Sequence, residues 1–213
     1  MLMSFEYYIF YKPYQVLSQF SPEGNKDTLA KFFPDIAKDV YPVGRLDFDS
    51  EGMLILTNDK KLNQRLLHPS VQHEKEYWVQ VEGIPTEQAL LQLEKGVVIN
   101  INGKTYTTRP AGVQCLQPAP EVPERNPPIR VRKHIPDSWL SLCIAEGKNR
   151  QVRKMTAAVN LPTLRLLRYR IGSLTIAGMQ PGEYRQISAE EKERLLQPGG
   201  SMGRHPSLGR FRS

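Results

Sequence analysis

Six prolines stand between Pro118 and Pro136. Each removes a backbone donor and fixes φ, so neither a helix nor a central strand can run through the stretch, and it reads as a long loop or arm. Around it the apolar runs are short. Tyr7–Lys12 is rich in aromatic and β-branched residues and reads as a strand stopped by Pro13. Residues 53–57 form an apolar run of strand length, and Lys75–Glu82 alternates with Tyr77, Val79 and Val81 on one face. Further strands are expected at 97–101, 112–116, 139–145, 163–171 and 184–187.

Helices are announced by their caps. Asp59 opens one through Leu67 with Pro69 as its stop, Thr86 opens one to Lys95, Asn149 one to Val159, and Ser188 one to Leu196. Glu190 and Glu191 stand at the positive end of the last. A short helix at 28–33 should end at Pro34. Strands outnumber helices and their connections vary. This predicts an α+β fold, a mixed and mostly antiparallel sheet with flanking helices. From Pro198 onward Gly, Ser, Pro and Arg dominate, so 197–213 is expected to be a basic, disordered tail.

The composition, 39% hydrophobic and 24% charged over 213 residues, suits a soluble globular protein of one large or two small domains. No apolar run approaches the ~20 residues that span a bilayer, and the first residues carry no basic-then-apolar leader. Only Cys115 and Cys143 are present, too few for a disulfide framework, so reduced thiols in a cytoplasm are expected. His68, His73, His134 and His205 share no ligand spacing, and no metal site is expected. The net charge is +7. Between Glu146 and Arg170 seven Lys or Arg face one acid, and Arg125, Arg130, Arg132 and Lys133 form a second basic cluster. Such asymmetry fits a basic face laid against phosphates, or else a solvated surface.

The sharpest local feature is Gly44-Arg45-Leu46-Asp47-Phe48-Asp49-Ser50-Glu51-Gly52, three alternating acids in a glycine-bounded turn before an apolar strand. It mimics the start of a calcium loop. The twelfth position is Asn58 rather than glutamate, and strands rather than helices flank it, so that reading fails. A second segment, Glu146-Gly147-Lys148-Asn149-Arg150-Gln151-Val152-Arg153, puts Arg150 and Arg153 on one face of a helix beginning at Asn149. An arginine fixed on a helix can meet a carboxylate in bidentate geometry; alternatively the pair is a basic solvated stripe.

Taken together these segments resemble a known family. Gly-Arg-Leu-Asp followed by Ser-x-Gly-x-Leu is similar to the catalytic motif of the RsuA-type pseudouridine synthases. So, in the same order, are Lys12-Pro13, Lys75-Glu76-Tyr77, the 146–153 segment, Arg168-Tyr169-Arg170-Ile171-Gly172 and Gly182-Glu183-Tyr184-Arg185. The stretches 77–86, Arg125-Asn126-Pro127-Pro128-Ile129-Arg130 and Ser138-Trp139-Leu140 resemble the E-type group of that family, which acts on large-subunit ribosomal RNA and whose members lack an extra N-terminal RNA-binding domain. Phe48 and Met53 depart from the usual pattern.

The resemblance implies a pseudouridine synthase fold with a central RNA-binding cleft. It implies one catalytic domain over 5–196 and conversion of a specific uridine to pseudouridine in 23S ribosomal RNA. Alternatives are a target in small-subunit RNA or tRNA, or a non-catalytic RNA-binding assembly protein. It further implies that Asp47 is the essential carboxylate, acting as nucleophile or as base, that Arg153 pairs with it, and that Tyr77 stacks on the target base. For Tyr77 ordinary strand packing is the competing reading. Arg45 would hold the flipped nucleotide or fill its place. Lys12, Arg125, Arg130, Arg132, Lys133, Arg150, Arg165 and Arg168 are candidates for contacts to RNA. No cofactor is implied. The expected partner is ribosomal RNA, free or in an assembling particle, met by a monomer that touches no membrane.

Overall fold

In the computed structural model the described residues are 5–68, 73–130, 132 and 134–197; Pro69, Lys133 and the expected tail from residue 198 lie outside them. The first stretch holds β1 (Tyr7–Lys12), β2 (Val16–Leu17), β3 (Asp27–Thr28), β4 (Tyr41–Pro42), β5 (Glu51–Thr57) and α1 (Lys60–Leu67). There follow β6 (Lys75–Glu82), α2 (Glu87–Lys95), β7 (Val98–Ile101), β8 (Lys104–Thr107) and β9 (Gly112–Cys115). The last group is β10 (Asp137–Ile144), α3 (Gln151–Ala158), β11 (Thr163–Ile171), β12 (Leu174–Thr175), β13 (Tyr184–Gln186) and α4 (Ala189–Leu196).

Among the described residues nine strands make one sheet, in the order β13-β1-β5-β11-β6-β10-β9, with β4 on β5 and β12 on β11. Its pairings are antiparallel except for β5 with β11. The mixed, mostly antiparallel sheet expected from the sequence is therefore the observed one. All seven residues of β5 are buried, because β1 and β11 flank it and both its faces are covered.

Alternation along the strands sorts the core. Ile9, Tyr11, Met53, Ile55 and Leu167 pack on one face with Leu62 and Leu66 of α1 and Leu195 of α4. On the other face Phe10, Leu54 and Leu56 meet Leu29, Phe33 and Val40. There too, farther along the sheet, Tyr77, Val79, Val81, Leu140 and Leu142 meet Leu93 of α2 and Val152 and Met155 of α3. Each fully buried Leu or Ile contributes roughly 1.5–3 kcal/mol relative to exposure.

The caps at Asp59, Thr86 and Ser188 form as the sequence suggests. Asp59 accepts from Lys61 and Leu62, Thr86 from Ala89, and Ser188 makes a reciprocal capping box with Glu191. Three expectations change. The helix at 28–33 is only a 3-10 turn, Leu29–Lys31. Strand β8 was not anticipated; Asn102 and Gly103, both at positive φ, form the tight Asn-Gly turn that pairs it with β7. The helix expected to open at Asn149 begins at Gln151, because Arg150 takes a left-handed conformation (φ 51°) at the cap. Gln151 reaches back to accept from the Lys148 amide at 2.9 Å and to bond Glu146, replacing the cap expected of Asn149.

Candidate active site

Gly52 shows why the acidic turn sits where it does. It has φ +105°, and a Cβ there would fall 2.3 Å from the Arg168 carbonyl oxygen. Only glycine lets β5 close onto β11 at this point. The registers then run straight across the sheet: Lys12 opposite Gly52, Gly52 opposite Arg168, Arg168 opposite Tyr77. Cross-strand partners share a face, so Lys12, Arg168 and Tyr77 form one row with a gap in side-chain cover at Gly52. Asp47 lies five residues upstream of Gly52, at the head of a turn closed by the Ser50 amide donating to its carbonyl at 3.1 Å. Ser18 clamps Leu46 from both sides, accepting from its amide at 3.1 Å and donating to its carbonyl at 2.9 Å. The Gln15 amide bonds the Phe48 carbonyl at 2.9 Å. The turn is thus tied to the segment that follows β1.

The three acids of the turn have different fates. Glu51 is buried and takes a bidentate pair from Arg165 at 2.8 and 2.7 Å. Asp49 takes a bidentate pair from Arg150, both bonds 2.8 Å, and its carbonyl accepts from Arg153 at 2.6 Å. The Arg150 bonds, helped by the charge of Arg153, hold the Asp49 carboxyl below its ordinary range despite burial. Asp47 is left with Arg150 at 3.7 Å, its side chain one-third exposed.

This corrects the pairing expected for Arg153. Its guanidinium lies 3.5 Å from the Asp49 carboxylate and donates to the Asp49 backbone, not to Asp47. The reason is local: the 47–50 turn swings Asp49 toward the start of α3, where Arg150 and Arg153 converge. Arg153 still feels the charge of Asp47, and burial, the larger effect, lowers its pKa. Its Nε and the Ser50 hydroxyl are buried without a hydrogen-bond partner.

The remaining candidates divide by depth. Lys12, Arg165 and Arg168 are 0%, 4% and 5% exposed, so they are not surface contacts for phosphates as expected. They sit on interior strands, where charged side chains are enclosed and need partners inside, and Arg168 Nη2 is left buried without one. Lys12 donates to the Pro13 and Val16 carbonyls at 2.8 and 2.7 Å, and Arg168 to the Met53 carbonyl at 2.8 Å. Burial drives the Lys12 pKa down to about 7, against the pull of Glu51, Asp49 and Asp47. Tyr77, 8% exposed, lies in the apolar cluster beside α3 as well as in the row. Arg45 and Arg130 are exposed, and Arg132 is exposed and 3.1 Å from Glu82. Arg125 stacks on Tyr14. Lys133 lies outside the described residues.

Sequence reasoning missed the part of Asp49 as anchor of both arginines; its spacing two residues beyond Asp47 was the available signal. It also missed the Glu51–Arg165 pair and the buried Arg170–Glu76 pair at 2.8 Å, whose partners are 94 or more residues apart.

Known proteins resemble most of this chain. Residues 6–158 match the family model described as RNA pseudouridylate synthase. The chain is 51% identical over 180 residues to the ribosomal large subunit pseudouridine synthase E of Vibrio vulnificus (strain CMCP6), covering 84% of this chain and 74% of that protein. It is 53% identical over 172 residues to the protein of the same name from Xanthomonas axonopodis pv. citri (strain 306), covering 80% and 87%. A solved structure described as a pseudouridylate synthase superposes with a TM-score of 0.75 at 26% identity, over 91% of this chain and 74% of that one.

Proposed function

The chain belongs to the RNA pseudouridylate synthase family, and on that premise we propose that it isomerises a specific uridine in 23S ribosomal RNA with Asp47 as the reacting carboxylate. The large-subunit target is supported by the relatives that share about half its residues and carry that name. In this reading it works in the cytoplasm as a monomer, an expectation taken from the family resemblance. Among the described residues no helix is long and apolar enough to cross a membrane.

One observation carries the choice of Asp47. Of the three alternating acids, Asp49 and Glu51 are consumed by bidentate arginines at 2.7–2.8 Å, while Asp47 keeps an open carboxylate with Arg150 3.7 Å away. In this reading the N1–C1′ bond of uridine breaks, the base rotates, C5 bonds to C1′, C5 releases its proton and N1 takes one up. The sum is an isomerisation. Asp47 serves by attacking the sugar or by removing a ribose proton. Arg150 and Arg153 place positive charge beside it, and Tyr77 supports the base from the floor. The target must leave its stack, at a cost of a few kcal/mol; Arg45, at the rim, holds the opening.

Asp47→Asn should release no tritium from RNA labelled at uridine C5 while still binding that RNA. Release at the wild-type rate would remove Asp47 from the chemistry. Mapping pseudouridine in RNA from cells lacking the gene tests the target: one 23S position should revert to uridine. A loss confined to 16S RNA or tRNA would overturn the large-subunit reading.

A further inference from the structure

The proline-rich arm between β9 and β10 is docked on the segment that follows β1, the one tied to the acidic turn. Arg125 places its guanidinium carbon 4.1 Å from the centre of the Tyr14 ring. The plane of that guanidinium is set by the arm itself, because Nε donates to the Pro127 carbonyl at 2.9 Å and Nη2 to the Pro128 carbonyl at 3.1 Å. Tyr14 in turn stands on the segment that holds the catalytic turn. Its neighbour Gln15, at φ 58°, donates to Phe48 between the two aspartates. Tyr14 is also close enough to Arg153 to act on its charge. Two more contacts bracket the arm. Val122 packs against the apolar cluster that includes Tyr11 and Met53, and Arg132 pairs with Glu82.

An arginine face stacked on an aromatic ring is a directional contact that is strongest when partly shielded from water. Its proline carbonyl partners keep it rigid. The arginine expected to meet phosphate is instead spent on the protein.

We propose that Tyr14 and Arg125 form a latch that holds the arm closed beside Asp47, and that the RNA substrate is gripped by the latched arm. Both are positioning residues, and neither touches the reacting atoms. The substrate half of this statement rests on the RNA-modifying reading given above, while the latch itself does not.

The two halves are tested separately. Trypsin cleavage after the exposed Arg130 reads the latch directly. Tyr14→Ala and Arg125→Ala should each speed it about tenfold, as loss of a stacking contact of this kind allows. Tyr14→Phe, which keeps the ring, should leave it at the wild-type rate. Unaltered cleavage in both alanine variants would overturn the latch, as would faster cleavage in Tyr14→Phe. For the substrate half, tritium release from a 23S transcript labelled at uridine C5 is followed against RNA concentration. Tyr14→Ala and Arg125→Ala should each raise KM about tenfold and lower kcat less than about threefold, and the double variant should be no worse than either single one. Multiplying effects would break the link between the two residues. An unchanged KM in Tyr14→Ala, with a shallower salt dependence in Arg125→Ala alone, would return Arg125 to the role of a simple phosphate contact. If the wild type releases no tritium from 23S RNA, the proposed function has failed, and the trypsin comparison still decides the latch.

Discussion

Among the described glycines, Gly52 is the one where an alanine Cβ would meet three backbone atoms closer than 3.0 Å, and Gly52→Ala should damage this protein badly. The added Cβ would lie 2.3, 2.7 and 2.9 Å from the carbonyl oxygen, nitrogen and carbonyl carbon of Arg168. These are backbone atoms of the strand paired with it, so no side chain can swing aside. Ordinary carbon contact would require β5 and β11 to part by about 1 Å at the middle of the sheet. Overpacking of this kind costs roughly 1–3 kcal/mol, and an alanine held at φ +105° adds about 1–2 kcal/mol. The sum, roughly 2–5 kcal/mol, is a large part of the 5–15 kcal/mol that typically separates folded from unfolded. With a urea slope of about 2–3 kcal/mol per molar, the midpoint should fall by about 1–2 M. The same displacement shifts Asp47 against the Lys12–Arg168–Tyr77 row, so kcat should fall by about a hundredfold in the molecules still folded. Two controls separate the causes. Gly24→Ala carries positive φ with nothing within 4 Å and should show the conformational cost alone; Gly147→Ala meets nothing within 4 Å and should match the wild type. A Gly52→Ala protein with the wild-type urea midpoint and kcat would refute the reasoning.

Two further outcomes follow from buried charge. Glu51→Gln strands Arg165, 4% exposed, without its carboxylate, and should cost about 3–5 kcal/mol in urea unfolding, while Glu51→Met combined with Arg165→Met should recover much of it; equal stability of Glu51→Gln and wild type would show that the pair does not hold β5 to β11. Lys12 has a folded pKa lowered to about 7 from 10.5, so above pH 7 the unfolded chain binds the extra proton and stability rises with pH until the unfolded value is passed. Lys12→Met should flatten that rise, worth at most about 3 kcal/mol between pH 7 and 9, and the difference between the two proteins separates Lys12 from Lys75, which burial lowers to about 8. Parallel stability curves across this range would contradict it.

Local chemistry is legible in the order of the residues alone. The caps at Asp59, Thr86 and Ser188, the strands Tyr7–Lys12, Lys75–Glu82 and Thr163–Ile171, and the absence of regular structure among the described residues of the proline-rich arm each depend on a few adjacent residues. The turn at 44–52 stands out for the same reason. The short hairpin partner Lys104–Thr107 and the left-handed Arg150 were missed, although Asn102-Gly103 offered a signal for the first.

What the sequence by itself determined is the stock of candidate groups and the segments that carry them: one acidic turn, two arginines near the start of a helix, a tyrosine on an alternating strand. What only the tertiary structure decided is who meets whom. Asp49 rather than Asp47 takes both arginines across about a hundred residues, Lys12 and Arg168 turn inward, and Arg125 spends itself on Tyr14. Capping and alternation act between near neighbours in the chain and leave a mark there. The pairing of charges depends on strand register and on which face is closed by packing, and those are set only when distant strands come together.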